Sequence, residues 1–177
     1  MNTILKLLFT SVLLIFSANF IWGQTTNLKT RYSNDWDSWE SSGSLDAKIK
    51  TRYSNDWDNW EYNIDGKSGS IKTRYSNDWD SWEVGNMRIK TRYSEDWDNW
   101  EISGDGFNLK AKTRYSEDWD NWEISGDVNL KIKTRYSEDW DNWEISGDLS
   151  KLSPAAKAAV LFIPIFAASI HQKGIHK

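Results

Sequence analysis

Six times this chain sets a tryptophan between two aspartates. The tryptophans are Trp36, Trp57, Trp79, Trp97, Trp119 and Trp140, and the aspartates before them are Asp35, Asp56, Asp78, Asp96, Asp118 and Asp139. An exposed indole beside carboxylates offers a flat apolar plate with hydrogen-bond acceptors at its edge, which suits a sugar ring. The same plate attracts cationic groups. These twelve residues are therefore the candidate ligand contacts, and six copies on one chain would add avidity toward a polymer. The competing expectation is that each tryptophan folds over the neighbouring repeat or stacks on an arginine. Asp-x-Asp also presents oxygen ligands of the kind Ca²⁺ takes, but it lacks the glycine and third ligand of a calcium loop. No metal or cofactor is expected.

Catalysis has little to work with. His171 and His176 are the only histidines, both near the C-terminus, and there is no cysteine. No carboxylate pair stands apart from the repeats. An active site needs one asymmetric constellation, and six equivalent copies do not supply it, so no enzymatic activity is expected.

The triplets lie inside a longer unit, Lys-Thr-Arg-Tyr-Ser-x-Asp-Trp-Asp-x-Trp-Glu, which starts at Lys29, Lys50, Lys72, Lys90, Lys112 and Lys133. Ten of the twelve positions are identical in all six; the others take Asn or Glu, and Ser or Asn. Self-similarity at this period signals a repeat architecture. Within residues 49–62, Ile49, Thr51 and Tyr53 alternate with Lys50, Arg52 and Ser54. Trp60 and Tyr62 then alternate with Asn59 and Glu61. Such alternation predicts two strands, joined by a turn rich in Asn and Asp.

Folding each unit about its Asp-Trp pair sets Tyr53 opposite Trp60 and Arg52 opposite Glu61. This register predicts an aromatic face and, on the other side, six structural ion pairs. These are Arg31–Glu40, Arg52–Glu61, Arg74–Glu83, Arg92–Glu101, Arg114–Glu123 and Arg135–Glu144. Each cross-strand pair would contribute about 0.2–1 kcal/mol. Six hairpins in series give an all-β domain of about twelve antiparallel strands. An aromatic face cannot stay in water, so the sheet must curl or close into a barrel, which also removes exposed edges. A sandwich is the second choice. The connectors at 41–49, 62–71, 84–89, 102–111 and 124–132 differ in length and content while the unit between them does not drift. The unit is therefore under constraint, and structure alone is a sufficient constraint.

The flanks read differently. Residues 1–23 carry Lys6, an apolar stretch and then small residues, the order of a secretory signal peptide. Residues 24–149 are the repeat domain. Residues 150–177 open with Ser153-Pro154, a helix start, and continue with an apolar run that Pro164 is expected to kink or split. The tail is expected to dock on the sheet or plug the barrel; membrane contact and partner binding are the alternatives. Export without cysteine means stability must come from packing, and 13 Trp against 2 Pro fit that demand. A formal charge of −4 with mixed signs gives no footprint for nucleic acid.

The tip resembles the Asp-box hairpin, Ser-x-Asp-x-Gly-x-x-Trp, without its glycine and one residue shorter. The length of the unit is similar to choline-binding modules, without their Gly-Trp pattern. Neither likeness extends past one hairpin, and neither carries residue roles here. The expectation is an exported, non-enzymatic protein that is secreted, periplasmic or at the cell surface. It would bind a glycan or another surface polymer through its hairpin tips. The alternatives are a structural envelope scaffold and an outer-membrane β-barrel, for which strands of about 9–11 alternating residues are needed.

Overall fold

The computed structural model describes residues 25–116 and 118–174. The proposed signal peptide, Glu117, His176 and Lys177 lie outside the described residues. Twelve strands follow in order: β1 (Thr26–Thr30), β2 (Ser38–Ser42), β3 (Ala47–Thr51), β4 (Asn59–Ile64), β5 (Lys67–Thr73), β6 (Ser81–Val84), β7 (Met87–Thr91), β8 (Asn99–Gly104), β9 (Phe107–Thr113), β10 (Asn121–Gly126), β11 (Leu130–Thr134) and β12 (Asn142–Gly147). Each pairs antiparallel with its sequence neighbours, and β1 pairs with β12, so the sheet is a closed up-and-down barrel. The helix α1 (Pro154–Gln172) follows. All-β class, twelve antiparallel strands, barrel closure and the C-terminal helix match the expectation from sequence.

Alternation sets the two faces of the wall. In β3, Ala47, Ile49 and Thr51 are buried while Lys48 and Lys50 are exposed, and β11 repeats this with Leu130, Ile132 and Thr134 against Lys131 and Lys133. The outward positions are thus charged, the reverse of the apolar band a lipid-facing barrel presents. Inside, Trp39, Trp60, Trp82, Trp100, Trp122 and Trp143 are buried around α1.

The register departs from expectation. Trp60 stands opposite Thr51, and Glu61 opposite Lys50; in the last copy, Trp143 faces Thr134 and Glu144 faces Lys133. The offset is two residues, so the same side of each strand still faces the core. Its cause is the tip, which is built from two back-to-back turns. Asp56 N–H donates to the Tyr53 carbonyl at 3.0 Å, and Asn59 N–H donates to the Asp56 carbonyl at 3.3 Å. Asn55, between them, adopts φ +60°. This geometry consumes Tyr53 and Ser54 in the loop, and the Arg52 N–H closes it on the Asn59 carbonyl at 2.8 Å.

The predicted Arg–Glu pairs therefore do not form. Glu83, Glu101 and Glu144 meet Lys72, Lys90 and Lys133 at 3.6, 3.0 and 3.7 Å instead. Lys90 holds the Glu101 carboxyl below its ordinary range, first by hydrogen bonding and then by charge, with Arg92 and Lys110 adding to the effect.

The helix runs through the barrel interior, and every residue from 156 to 170 is buried. A helix apolar on all sides needs an enclosing wall, and the barrel provides it. Ser153 caps the helix, its Oγ accepting from Ala156 N–H at 3.2 Å, with Pro154 in the first turn. Pro164 neither splits nor ends the helix, which continues to Gln172.

At the connector end, two Asp-Gly turns hold the helix. Asp65-Gly66 and Asp105-Gly106 both take positive φ, the two-residue turn that matches strand twist. Asp65 Oδ2 receives Lys157 Nζ at 2.5 Å, and Asp105 Oδ2 receives the Ser153 hydroxyl at 3.2 Å. Nearby, Tyr62 is the one tyrosine turned inward. Its ring lies over Gly69, where an added Cβ would clash with the Tyr62 phenol. Burial, and then the charge of Asp105, pushes the Tyr62 phenol above its ordinary value.

Candidate functional site

The six tips form one end of the barrel, and each invariant residue has an observable place there. The tip tryptophans turn inward. Trp36, Trp57 and Trp79 are 7–8% exposed, and Trp97, Trp119 and Trp140 are half-buried against the core. Their rings follow one another around the rim, Trp79–Trp97 at 6.2 Å, Trp97–Trp119 at 6.5 Å and Trp119–Trp140 at 6.1 Å. They close over the last turns of α1. Trp79 and Trp97 pack edge-on to Phe166, and Trp119 and Trp140 pack against His171. Each tip carbonyl accepts the indole N–H of the following strand tryptophan, at 2.6–3.0 Å in all six copies.

The second aspartate of each triplet fastens its hairpin to the next. Its carbonyl accepts the threonine N–H of the following repeat all the way around, Asp141 to Thr30 included, at 2.9–3.0 Å. Its carboxylate reaches the next tip. Asp58 receives Asn77 N–H at 3.0 Å and Trp79 Nε1 at 2.7 Å. Asp120 receives Glu138 N–H at 2.9 Å, the Ser137 hydroxyl at 3.4 Å and Trp140 Nε1. Asp80 receives the Ser94 hydroxyl at 2.9 Å and Glu95 N–H at 3.0 Å, while Trp97 Nε1 is buried without an acceptor.

The first aspartate caps its own tip. Asp56 receives the Asn59 side-chain amide at 3.0 Å, and Asp96 receives that of Asn99 at 2.9 Å. In the last copy a hydrogen bond with Asp141 raises the Asp139 carboxyl above its ordinary range. Partial burial and the Asp141 charge add to this, and Arg135 opposes it.

The Trp and Asp of the candidate site are thus brought together, but as the inner seam of the rim. Trp36, Trp57 and Trp79 are buried, Trp97, Trp119 and Trp140 are half-buried, and much of the acceptor capacity of the carboxylates goes to neighbouring donors. The outward aromatic is the tyrosine. Among the described residues the large hydrophobic side chains left exposed are Tyr32, Tyr53, Tyr75, Tyr93, Tyr115 and Tyr136, at 61–65%. The arginine before each lies over its ring, with Cζ at 5.2–5.7 Å from the centroid in all six copies.

The arrangement is a crown of six aromatic–guanidinium pairs above a closed, apolar barrel end. It can stack on planar or apolar rings and donate hydrogen bonds from the guanidinium edges. No group of three or more His, Asp or Glu side chains placed to hold a metal occurs among the described residues. No protein-family profile, curated protein or solved structure matches the chain.

Proposed function

We propose that the chain is an exported, non-enzymatic repeat module that binds a glycan or another surface polymer through the hairpin-tip end of its barrel. The binding residues are the Tyr–Arg pairs rather than the Trp–Asp seam. One observation carries this reading. Of the ten invariant positions in the repeat, Lys and Glu face each other across the wall, Thr and the second Trp line the core, the first Asp caps its own tip, and Ser, the second Asp and the first Trp lock tip to tip. Each Arg lies over the ring of the Tyr that follows it, and the six rings stay exposed. An invariant exposed aromatic with no packing role suits a contact with something outside the chain. Six copies in a ring give the avidity that single weak contacts lack.

The burial of the tip tryptophans supports a second reading, a structural envelope scaffold with no ligand. The charged outer wall weighs against the third, an outer-membrane barrel. Replacing all six tyrosines by serine in the chain lacking residues 1–23 separates the first two. The binding reading expects the variant to keep its unfolding transition and to lose retention on a panel of immobilised polysaccharides. Retention equal to that of the parent chain, or no retention by either, returns the function to the scaffold.

A further inference from the structure

The crown sits above a wall whose charge differs from that of the chain as a whole. A groove of about 220 Å³ on the outer face is lined by Arg31, Lys48 and Lys50 together with Glu40 and Glu61. Its counterpart four repeats on, about 300 Å³, is lined by Arg114, Lys131 and Lys133 with Glu123. In both, the crown arginine of one repeat meets two lysines of the next, so cations outnumber carboxylates. The same bias surrounds Glu101, on which Lys90, Arg92 and Lys110 act together. Among the described residues, none of the six guanidiniums makes a salt bridge within 4 Å. The half-buried tip aspartates instead accept the indole, hydroxyl and backbone N–H groups described above. Guanidinium groups without a carboxylate partner, beside lysines, suit bidentate and point-charge recognition of oxyanions.

Resting on the reading of the crown as a polymer-binding surface, we infer that its ligand is an acidic polysaccharide. A sugar ring stacks on the exposed Tyr32-type ring, and its carboxylate or sulfate group enters the shoulder groove between repeats, where Arg31, Lys48 and Lys50, or Arg114, Lys131 and Lys133, receive it. Lys48, Lys110 and Lys131 are the informative side chains. All three are exposed and make none of the ion pairs found across the wall.

The test measures binding of the chain lacking residues 1–23 to immobilised dextran, dextran sulfate and alginate, with a salt titration. The expected result is retention on dextran sulfate and alginate that falls with salt, and at least roughly tenfold weaker retention on dextran. The triple variant K48Q/K110Q/K131Q should lose about tenfold on both acidic polymers, as three exposed charges allow, with its unfolding transition unchanged. Equal binding to dextran and dextran sulfate overturns the acidic ligand and leaves the crown reading intact. Undiminished dextran sulfate binding by the sextuple Tyr→Ser variant overturns the crown. No binding to any of the three polymers overturns the acidic ligand, while retention on another polysaccharide still supports the crown.

Discussion

Asp80 and Asp120 hold equivalent places in the third and fifth tips, yet they do unequal work, and the difference can be measured. Both accept a serine hydroxyl and a backbone N–H from the next tip. Asp120 also accepts Trp140 Nε1, whereas the indole next to Asp80, that of Trp97, has a buried N–H with no acceptor. Asp80→Ala removes two bonds whose exposed donors water can satisfy, at about 1 kcal/mol. Asp120→Ala removes those two and a charge-assisted bond to a half-buried indole, so it costs about 3 kcal/mol. The gap of about 2 kcal/mol is the contribution of the indole bond. Urea unfolding reads it as a lower midpoint at unchanged slope. A cycle with Trp140→Phe should return a coupling of about 1.5 kcal/mol, because Phe leaves no orphan donor. Equal costs for the two alanine variants within about 0.5 kcal/mol, or no coupling, would refute the seam as described.

Three further outcomes follow from the same structure. Glu95 and Glu138 hold φ of +61° and +62°, where the first three copies use Asn. Asn tolerates this conformation better than Glu, so Glu95→Asn should stabilise by about 0.5–1 kcal/mol and raise Tm by roughly 1–4 °C in a calorimetric scan. At the connector end, Asp65→Ala leaves Lys157 buried without its partner and should cost about 2 kcal/mol, discounted because Asp65 is partly exposed. Lys157→Met should be neutral or stabilising by the same urea assay. The raised Tyr62 phenol binds its proton more tightly in the folded chain. Its contribution is therefore complete below the ordinary value of 10.0 and is lost as pH rises past it. Unfolding midpoints of Tyr62→Phe between pH 9 and 11 should fall less steeply than those of the parent chain.

Strand number, inner and outer faces and barrel closure were legible because they follow from period-two alternation repeated six times. The helix start at Ser153-Pro154 was legible because capping is local. The register was not. A loop centred on Asp56-Trp57 and one made of two turns both preserve the face of every strand residue, so alternation cannot tell them apart. Only the left-handed Asn55 decides, and Asn, Asp and Ser all permit several turn types. The site followed the register. With the shorter loop, Tyr53 belongs to the core and Trp57 to the solvent; with the longer one they exchange places. The continuity of α1 through Pro164 depends on the enclosing wall, which no local pattern announces.

Hydroxyl-radical footprinting of the chain lacking residues 1–23, mapped by mass spectrometry, tests this exchange most directly, since Tyr and Trp are both reactive and differ here in exposure. The structure predicts heavy labelling of Tyr32, Tyr53, Tyr75, Tyr93, Tyr115 and Tyr136, with Trp36, Trp57 and Trp79 protected to the level of the core residues Trp60 and Trp82. Tip tryptophans oxidised as fast as the tyrosines would contradict it and return the Trp–Asp pairs to the surface.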